Sequence, residues 1–388
     1  MRETIESNIP WIGHIPKEWK ISKYKYFSTS RMGETILSGD TSESGIPIYS
    51  ATQDDGVFGY IQNPKLILNK GDFVIPARGN SIGFVKIVES ETATCTQTTI
   101  CSKNIKNISS KFLFYCCKGF KNIWFKYEGS AIPQITVNQI ENNILPLPPK
   151  KEQNAIVKYL DEKCTKIDEA ISRNNQIIEK LEEYRKAVIT QAVTKGLNPD
   201  VEMKDSGYEY VGYIPASWNT KRIKFLATIN NGKEVKTEEG TIPVYGSGGV
   251  FKYTDKPLYC GESILMGRKG TIDKPLLVDG EFWTVDTMFY MSNFRNINIK
   301  YLYYCCKEVI NYEYYMSGSV LPSMTQTDIG NISLPYPSLK EQGQIVSYLD
   351  KRCLQIDESI QKQKDIVSKL EEYKKSLIYN AVTGKIEV

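Results

Sequence analysis

Polar and apolar positions along this chain follow two alternating regimes, and each regime occurs twice. From Lys151 to Thr194 apolar residues return every seven positions, at Leu160, Ile167, Leu181 and Val188, with Cys164, Ile171, Ile178 and Ala192 on the alternating line. That spacing, free of internal proline and glycine, predicts one long helix whose narrow apolar stripe packs on another helix. The pattern returns 189 residues later between Lys340 and Thr383, where 24 of 44 positions are identical and Gly343 is the one glycine. Its stripe runs Leu349, Ile356, Leu370 and Leu377, with Cys353, Ile360, Val367 and Ala381. Each stripe is broken once by a polar residue, Asn174 and the matching Gln363, a pairing expected to set register and partner at some cost in stability.

Two such stripes in one chain most simply cover each other. The order is globule, helix, globule, helix, and the polar linker GLNPDVEMKDSG at 196–207 is too short to run back along a helix of about 66 Å. An antiparallel coiled coil is therefore expected.

The other regime is short, turn-rich and β-like. NIPWIGHIPKEWKISKYK at 8–25 returns as YEYVGYIPASWNTKRIK at 208–224, IPIYSATQDDGVFGY at 46–60 as IPVYGSGGVFKY at 242–253, and GDFVIPARGNSIGFV at 71–85 as GESILMGRKGTIDKP at 261–275. Shorter helices follow at 108–118 and 297–307. Proline-rich exits, Pro146, Pro148 and Pro149, then Pro335 and Pro337, lead into the long helices. In the second copy Ser338 and Glu341 have capping-box spacing. The expected fold is α+β: two mixed α/β domains separated by two long helices, with an internal pseudo-two-fold repeat. The boundaries are 1–149, 150–196, 197–338 and 339–388.

Composition narrows the functional classes. With 41% hydrophobic and 24% charged residues the chain is an ordinary soluble one. It has no apolar run of membrane length and no signal-peptide core, so a cytoplasmic location without membrane association is expected. The net charge of +4 divides as +3, +2, −2 and +1 over the four segments, too even for a strong nucleic-acid footprint, so phosphate neutralisation would fall partly to partners. Nine cysteines without a CxxC are expected to be reduced and buried. The single histidine, His14, aligns with Tyr213, and no metal site is expected. Pro199-Asp200 followed by Glu202-Met203-Lys204 sets its acids too close for a strand-borne nuclease site.

Candidate chemistry sits in the loops. The runs ending at Arg78-Gly79-Asn80-Ser81 and Arg268-Lys269-Gly270-Thr271 suggest tight hairpins that project an arginine and small donors; the plainer reading is an exposed turn. The segments EGSAIPQ at 128–134, with Ser130 and Gln134, and SGSVLPSMT at 317–325, with Ser319, Ser323 and Thr325, suit base edges or phosphates. Gly33, Glu34 and Thr35, with Gly232, Lys233 and Glu234, form a third matching pair of loops, and Gln53, Gln97 and Ser247 are further polar candidates. Arg78 and Arg268 could fork onto guanine or clamp a phosphate, and the glutamines could pair with adenine.

The GxIPxxW openings, the exits LPLPPKKEQNAIVKYLD and LPYPSLKEQGQIVSYLD, and the LEEYxK runs in both helices resemble the DNA specificity subunit of type I restriction-modification systems over almost the whole chain. The resemblance implies a protein without catalysis of its own. Two target recognition domains would each read half of a split double-stranded DNA site, and the coil would set the spacing. It also implies docking of two adenine methyltransferase subunits and, for restriction, motor-nuclease subunits. S-adenosylmethionine, ATP and Mg²⁺ would belong to those partners. The residues agree, since no GxxxxGK loop and no Asn-Pro-Pro-aromatic signature is present. The rivals are a tandem coiled-coil adaptor that binds only proteins and a self-sufficient methyltransferase.

Overall fold

A computed structural model describes residues 2–127, 133–235, 239–316 and 322–388. The helices are α1 Ser110–Gly119, α2 Lys121–Trp124, α3 Val137–Glu141, α4 Lys150–Lys195, α5 Ile299–Glu308, α6 Glu313–Met316, α7 Gln326–Asn331 and α8 Leu339–Val382. Two compact units result, residues 1–175 with 365–388, and residues 176–364. Each unit therefore takes half of both long helices.

In unit 1 one antiparallel sheet has the order Thr29–Met32, Thr99–Lys103, Phe73–Pro76, Lys86–Ile87. A second has the order Gly59–Ile61, Ile46–Tyr49, Thr92–Cys95, Leu68–Asn69, with the central pair parallel. Unit 2 repeats both. Its first sheet runs Thr228–Asn231, Met288–Ser292, Ser263–Gly267, Leu276–Val278, and its second Gly249–Thr254, Ile242–Gly246, Glu281–Thr284, Tyr259–Cys260, again with a parallel central pair. The central strands bury both faces, as in Phe73–Pro76 and Ser263–Gly267, which is why they read as short apolar runs. Asn104 and Asn107, and Asn293 and Asn296, adopt positive φ before α1 and α5, a conformation asparagine tolerates well.

Within each unit the halves of α4 and α8 run antiparallel. In unit 1 Asp168 meets Lys374 at 2.6 Å, while Glu152 accepts from the Trp19 indole at 3.0 Å and Trp19 lies against Gly384. In unit 2 Arg185 meets Asp357 at 2.6 Å and Arg352 donates to Tyr184 Oη at 2.8 Å. Of the stripe residues, Leu160, Cys164, Ile167, Leu349, Cys353, Ile356 and Ile360 are buried, whereas Ile171, Leu181, Gln363 and Leu370 are half-buried. Asn174 Nδ2, in the polar break of the stripe, donates to the carbonyl of Ala170 at 2.7 Å, a bond within α4 itself.

The globules are fixed to the helices by residues of the repeated KEQ and YLD phrases. Buried Gln153 accepts from Ser109 N at 2.8 Å and donates to Pro148 O at 2.9 Å; Gln342 does the same with Asn298 N and Pro337 O at 2.8 and 2.9 Å. Asp161 takes Tyr115 Oη and Lys111 Nζ at 2.7 Å each, and Asp350 takes Tyr304 Oη at 2.8 Å and Lys300 Nζ at 2.7 Å. Burial and the facing carboxylate push both tyrosine hydroxyls well up from their ordinary range. Glycines with φ of 75° and 71°, Gly196 and Gly384, stop the two long helices. All nine cysteines are free, and one corrects the expectation of burial: Cys260 is exposed on the edge strand Tyr259–Cys260.

Candidate nucleic-acid interface

In unit 1 the chain leaves Phe73–Pro76 as an extended segment that is gripped from both sides. Ala77 N donates to Thr98 O, Ile135 N to Ala77 O and Gly79 N to Pro133 O, each at 3.0 Å. This places Arg78 directly opposite Gln134 in an isolated antiparallel bridge. Both side chains are exposed. Gly79 then turns the chain with φ 75°, and Gly79–Ser81 forms one 3₁₀ turn. The turn is anchored to the neighbouring sheet: Ser81 Oγ donates to Ala51 O at 2.7 Å, and Gln53 Nε2 to Asn80 O at 2.9 Å.

Unit 2 builds the same frame with different side chains. Arg268 N donates to Thr287 O at 2.8 Å, Met324 N to Arg268 O at 3.0 Å and Gly270 N to Pro322 O at 3.0 Å. Lys269 stands opposite Ser323, both exposed, and Gly270 turns with φ 82°. Thr271 follows, half-exposed, and Ser247 Oγ lies 3.4 Å from the position a Cβ on Gly270 would occupy.

Two expectations are corrected here. The equivalent of Arg78 is Lys269 and not Arg268, because the backbone partners of Arg268 match those of Ala77. Arg268 is half-buried and its Nη1 donates to Asp286 O at 3.3 Å. Nor are the hairpins tight: Val74 pairs with Lys86 and Leu265 with Leu276, so a long loop intervenes each time, with room to reach across to the 133–135 and 322–324 segments.

Other candidates are held for structural reasons. Gly33 and Gly232 admit a close backbone crossing, since a Cβ would lie 2.2 Å from Thr96 O and 2.0 Å from Val285 O, and their N–H groups bond to Thr99 O and Met288 O. Glu34 accepts from Lys65 N at 2.9 Å and Thr94 Oγ1 at 2.7 Å, so it braces the loop. Thr35 Oγ1 donates to Gln97 Oε1 at 2.7 Å, with both residues exposed. The Lys233 carbonyl accepts from Trp283 Nε1 at 2.7 Å, leaving an exposed side chain. Thr325 is committed to α7, where it forms a reciprocal cap with Asp328; Thr136 does the same with Gln139 before α3. Ser130 and Ser319 lie outside the described residues.

The type I restriction modification DNA specificity domain matches residues 16–183 and again 215–372. The chain belongs to that family. It is 25% identical to the type I restriction enzyme MjaVIII specificity subunit of Methanocaldococcus jannaschii, over 96% of this chain and 94% of that protein. It is 26% identical to the putative type I restriction enzyme MjaX specificity subunit of the same organism, over 97% and 96%. A solved chain described under complex assembly and conformational transition of the type I R-M system shares the fold, with a TM-score of 0.73, 15% identity and coverage of 96% and 99%. Family membership favours a DNA specificity subunit over the protein-only adaptor. Among the described residues no group of three or more His, Cys, Asp or Glu is placed to hold a metal ion, and no helix is long and apolar enough to cross a membrane.

Sequence reasoning missed three features of this region: the buried Lys86 beneath the Thr52 loop, the exposed aromatics of the neighbouring hairpins, and the bridge that joins each basic loop to the segment before α3 or α7. The repeat Gly-Val-Phe-x-Tyr at 56–60 and 249–253 was the available signal for the second. Nothing in the letters marked the other two.

Proposed function

We propose that this chain is the subunit that selects DNA sequence for a type I restriction-modification assembly, and that it performs no chemistry itself. Each unit reads one half of a split duplex site through its bridged loop, with Arg78 and Gln134 in one and Lys269 and Ser323 in the other. The long helices set the spacing and carry the docking surface for two adenine methyltransferase subunits. Motor-nuclease subunits join for restriction, and S-adenosylmethionine, ATP and Mg²⁺ act in those partners.

One observation carries this reading: the backbone frame of the bridge is the same in both units while the side chains it presents differ. A constant frame with exchanged polar side chains is what two readers of different half-sites need, because phosphate contacts position and base-edge contacts specify. The nearly balanced charge leaves much of the non-specific affinity to the partners.

The test is methylation-dependent sequencing of DNA from cells expressing the chain with its methyltransferase subunits, followed by binding measurements on the motif found. The expected result is a split motif whose halves are lost independently when Gln134 or Ser323 is replaced. A contiguous motif, or none, would refute the reading.

A further inference from the structure

An apolar hairpin beside each bridged loop has no role in the account above. In unit 1 Val57, Phe58 and Tyr60 are 40%, 54% and 36% exposed, and in unit 2 Val250, Phe251 and Tyr253 are 44%, 59% and 51% exposed. Both sets lie at the edges of their four-stranded sheets. Exposed aromatics on a sheet edge invite aggregation, so their presence in both units calls for something that covers them in the working assembly.

The two hairpins agree in register despite different turns. Pro47 stands opposite Tyr60, and Pro243 opposite Tyr253, although the turn in unit 1 is three residues longer (Ile46 to Gly56 spans ten positions, Ile242 to Gly249 seven). In unit 2 the register shifts between Val244 and Tyr245, which leaves Phe251 as the unpaired residue of a bulge. A bulge re-aims one side chain out of the strand's alternation, and this ring lies over Gly246. The turn it follows touches the basic loop through Ser247 and Gly270; in unit 1 the corresponding contacts are Gln53 to Asn80 and Ser81 to Ala51.

We infer that these hairpins contact duplex DNA without reading it, Phe58 and Phe251 packing on the deoxyribose of the backbone next to each half-site. The inference rests on the DNA-reading function proposed above. Three points select DNA as the occupant. In each unit the turn that leads into the patch contacts the basic loop. At three side chains per unit it is small for a stable protein interface. It is shared by two units whose bridges present different letters, and the deoxyribose offers an aromatic side chain the same surface at every base pair.

The test uses the full chain assembled with its methyltransferase subunits, carrying Phe58→Ala or Phe251→Ala. Exposed rings leave folding intact, checked by an unchanged melting temperature. Anisotropy should show each variant losing roughly 5- to 100-fold in affinity for the cognate duplex and, by a similar factor, for a random duplex, with Phe→Trp restoring it. Loss confined to the cognate duplex would make these residues base readers and overturn the inference. So would loss of subunit assembly in native mass spectrometry with DNA affinity of the assembled complex unchanged, which would make the patch a protein contact, and so would no effect. If the unaltered assembly bound no DNA at all, the underlying function would fail and not this inference alone.

Discussion

Asp168 on α4 takes the ammonium of Lys374 on α8 with both carboxylate oxygens, at 2.6 Å each, and adding 189 to the first number while subtracting it from the second gives Asp357 and Arg185, which also pair at 2.6 Å. The ion pair is thus itself a repeat. Both carboxylates are more than half exposed, at 55% and 51%, so each pair should contribute little to stability, about 0.2 to 1 kcal/mol. Replacing Asp168 or Asp357 by Asn should therefore lower unfolding free energy by no more than about 1 kcal/mol, measured by urea denaturation. A larger loss would show that the pair stabilises the coil and does not merely fix its register.

The glutamines of the KEQ phrases should matter far more than any exposed charge. Gln153→Leu strands the Ser109 N–H and the Pro148 carbonyl, and Gln342→Leu the Asn298 N–H and the Pro337 carbonyl. Leaving a buried polar group unpaired costs about 1 to 3 kcal/mol, so each variant should lose at least that much. Hydrogen exchange should show α1 opening in the first variant and α5 in the second.

Recognition should divide by unit. Gln134→Ala or Arg78→Ala should weaken reading of one half-site, and Lys269→Ala or Ser323→Ala the other, by about 1 to 3 kcal/mol where a bidentate base contact is lost. Arg268→Ala should affect DNA less than Lys269→Ala, because Arg268 is turned to the Asp286 carbonyl. Competition binding against duplexes with one scrambled half-site separates these outcomes. A uniform loss on all sequences would mark the altered residue as a phosphate contact.

The helices were readable because a seven-residue apolar period survives any detail of packing: Leu160 and Leu349 end fully buried at matching positions. The loops were less so. Aligning Arg78 with Arg268 followed identity of letters, but the strand before the second loop is bound one residue further along, and only the partners Thr98, Pro133, Thr287 and Pro322 reveal it. Glu34 shows a second limit. Nothing near it in sequence announces that Lys65 N–H and the Thr94 hydroxyl occupy its carboxylate. Cys260 shows a third, since an edge strand exposes what a central strand would bury.

Lys86 offers a test in pH. It is 1% exposed, its ammonium donates to Thr52 Oγ1 at 2.5 Å, and burial lowers its pKa, with Asp54 and Asp55 opposing. A lysine whose folded pKa lies below its unfolded one destabilises the fold while charged. That penalty is relieved as pH rises from the folded value to the unfolded one, about 10.4. Lys86→Met should therefore melt higher than the unaltered protein at pH 7, and the gap should narrow towards pH 10. A gap that does not change with pH would mean that Lys86 titrates normally. Because Thr52 Oγ1 loses its lysine donor and keeps only its longer contacts to Asp54, reading of the first half-site should weaken in the same variant.

Residues 1–196, produced alone, should dimerise, and with methyltransferase subunits should recognise a palindrome of the first half-site. In unit 1 the helix pair is closed by Leu377, Ile378, Ala381 and Val382, and the residues 189 earlier are Val188, Ile189, Ala192 and Val193, which close unit 2. A second copy can supply these in place of α8, and Asp168 would then meet the second copy's Arg185 where it now meets Lys374. Two-fold symmetry would put identical readers on inverted half-sites. The exchange is imperfect, because Thr190 replaces Tyr379, whose ring packs edge-on against Phe120 at 6.0 Å, a contact worth about 0.5 to 1.5 kcal/mol. The half-chain dimer should accordingly dissociate on dilution, and Thr190→Tyr should tighten it. Sedimentation equilibrium measures both, and a folded half-chain that stays monomeric at micromolar concentration would show that the two helices cannot substitute for each other.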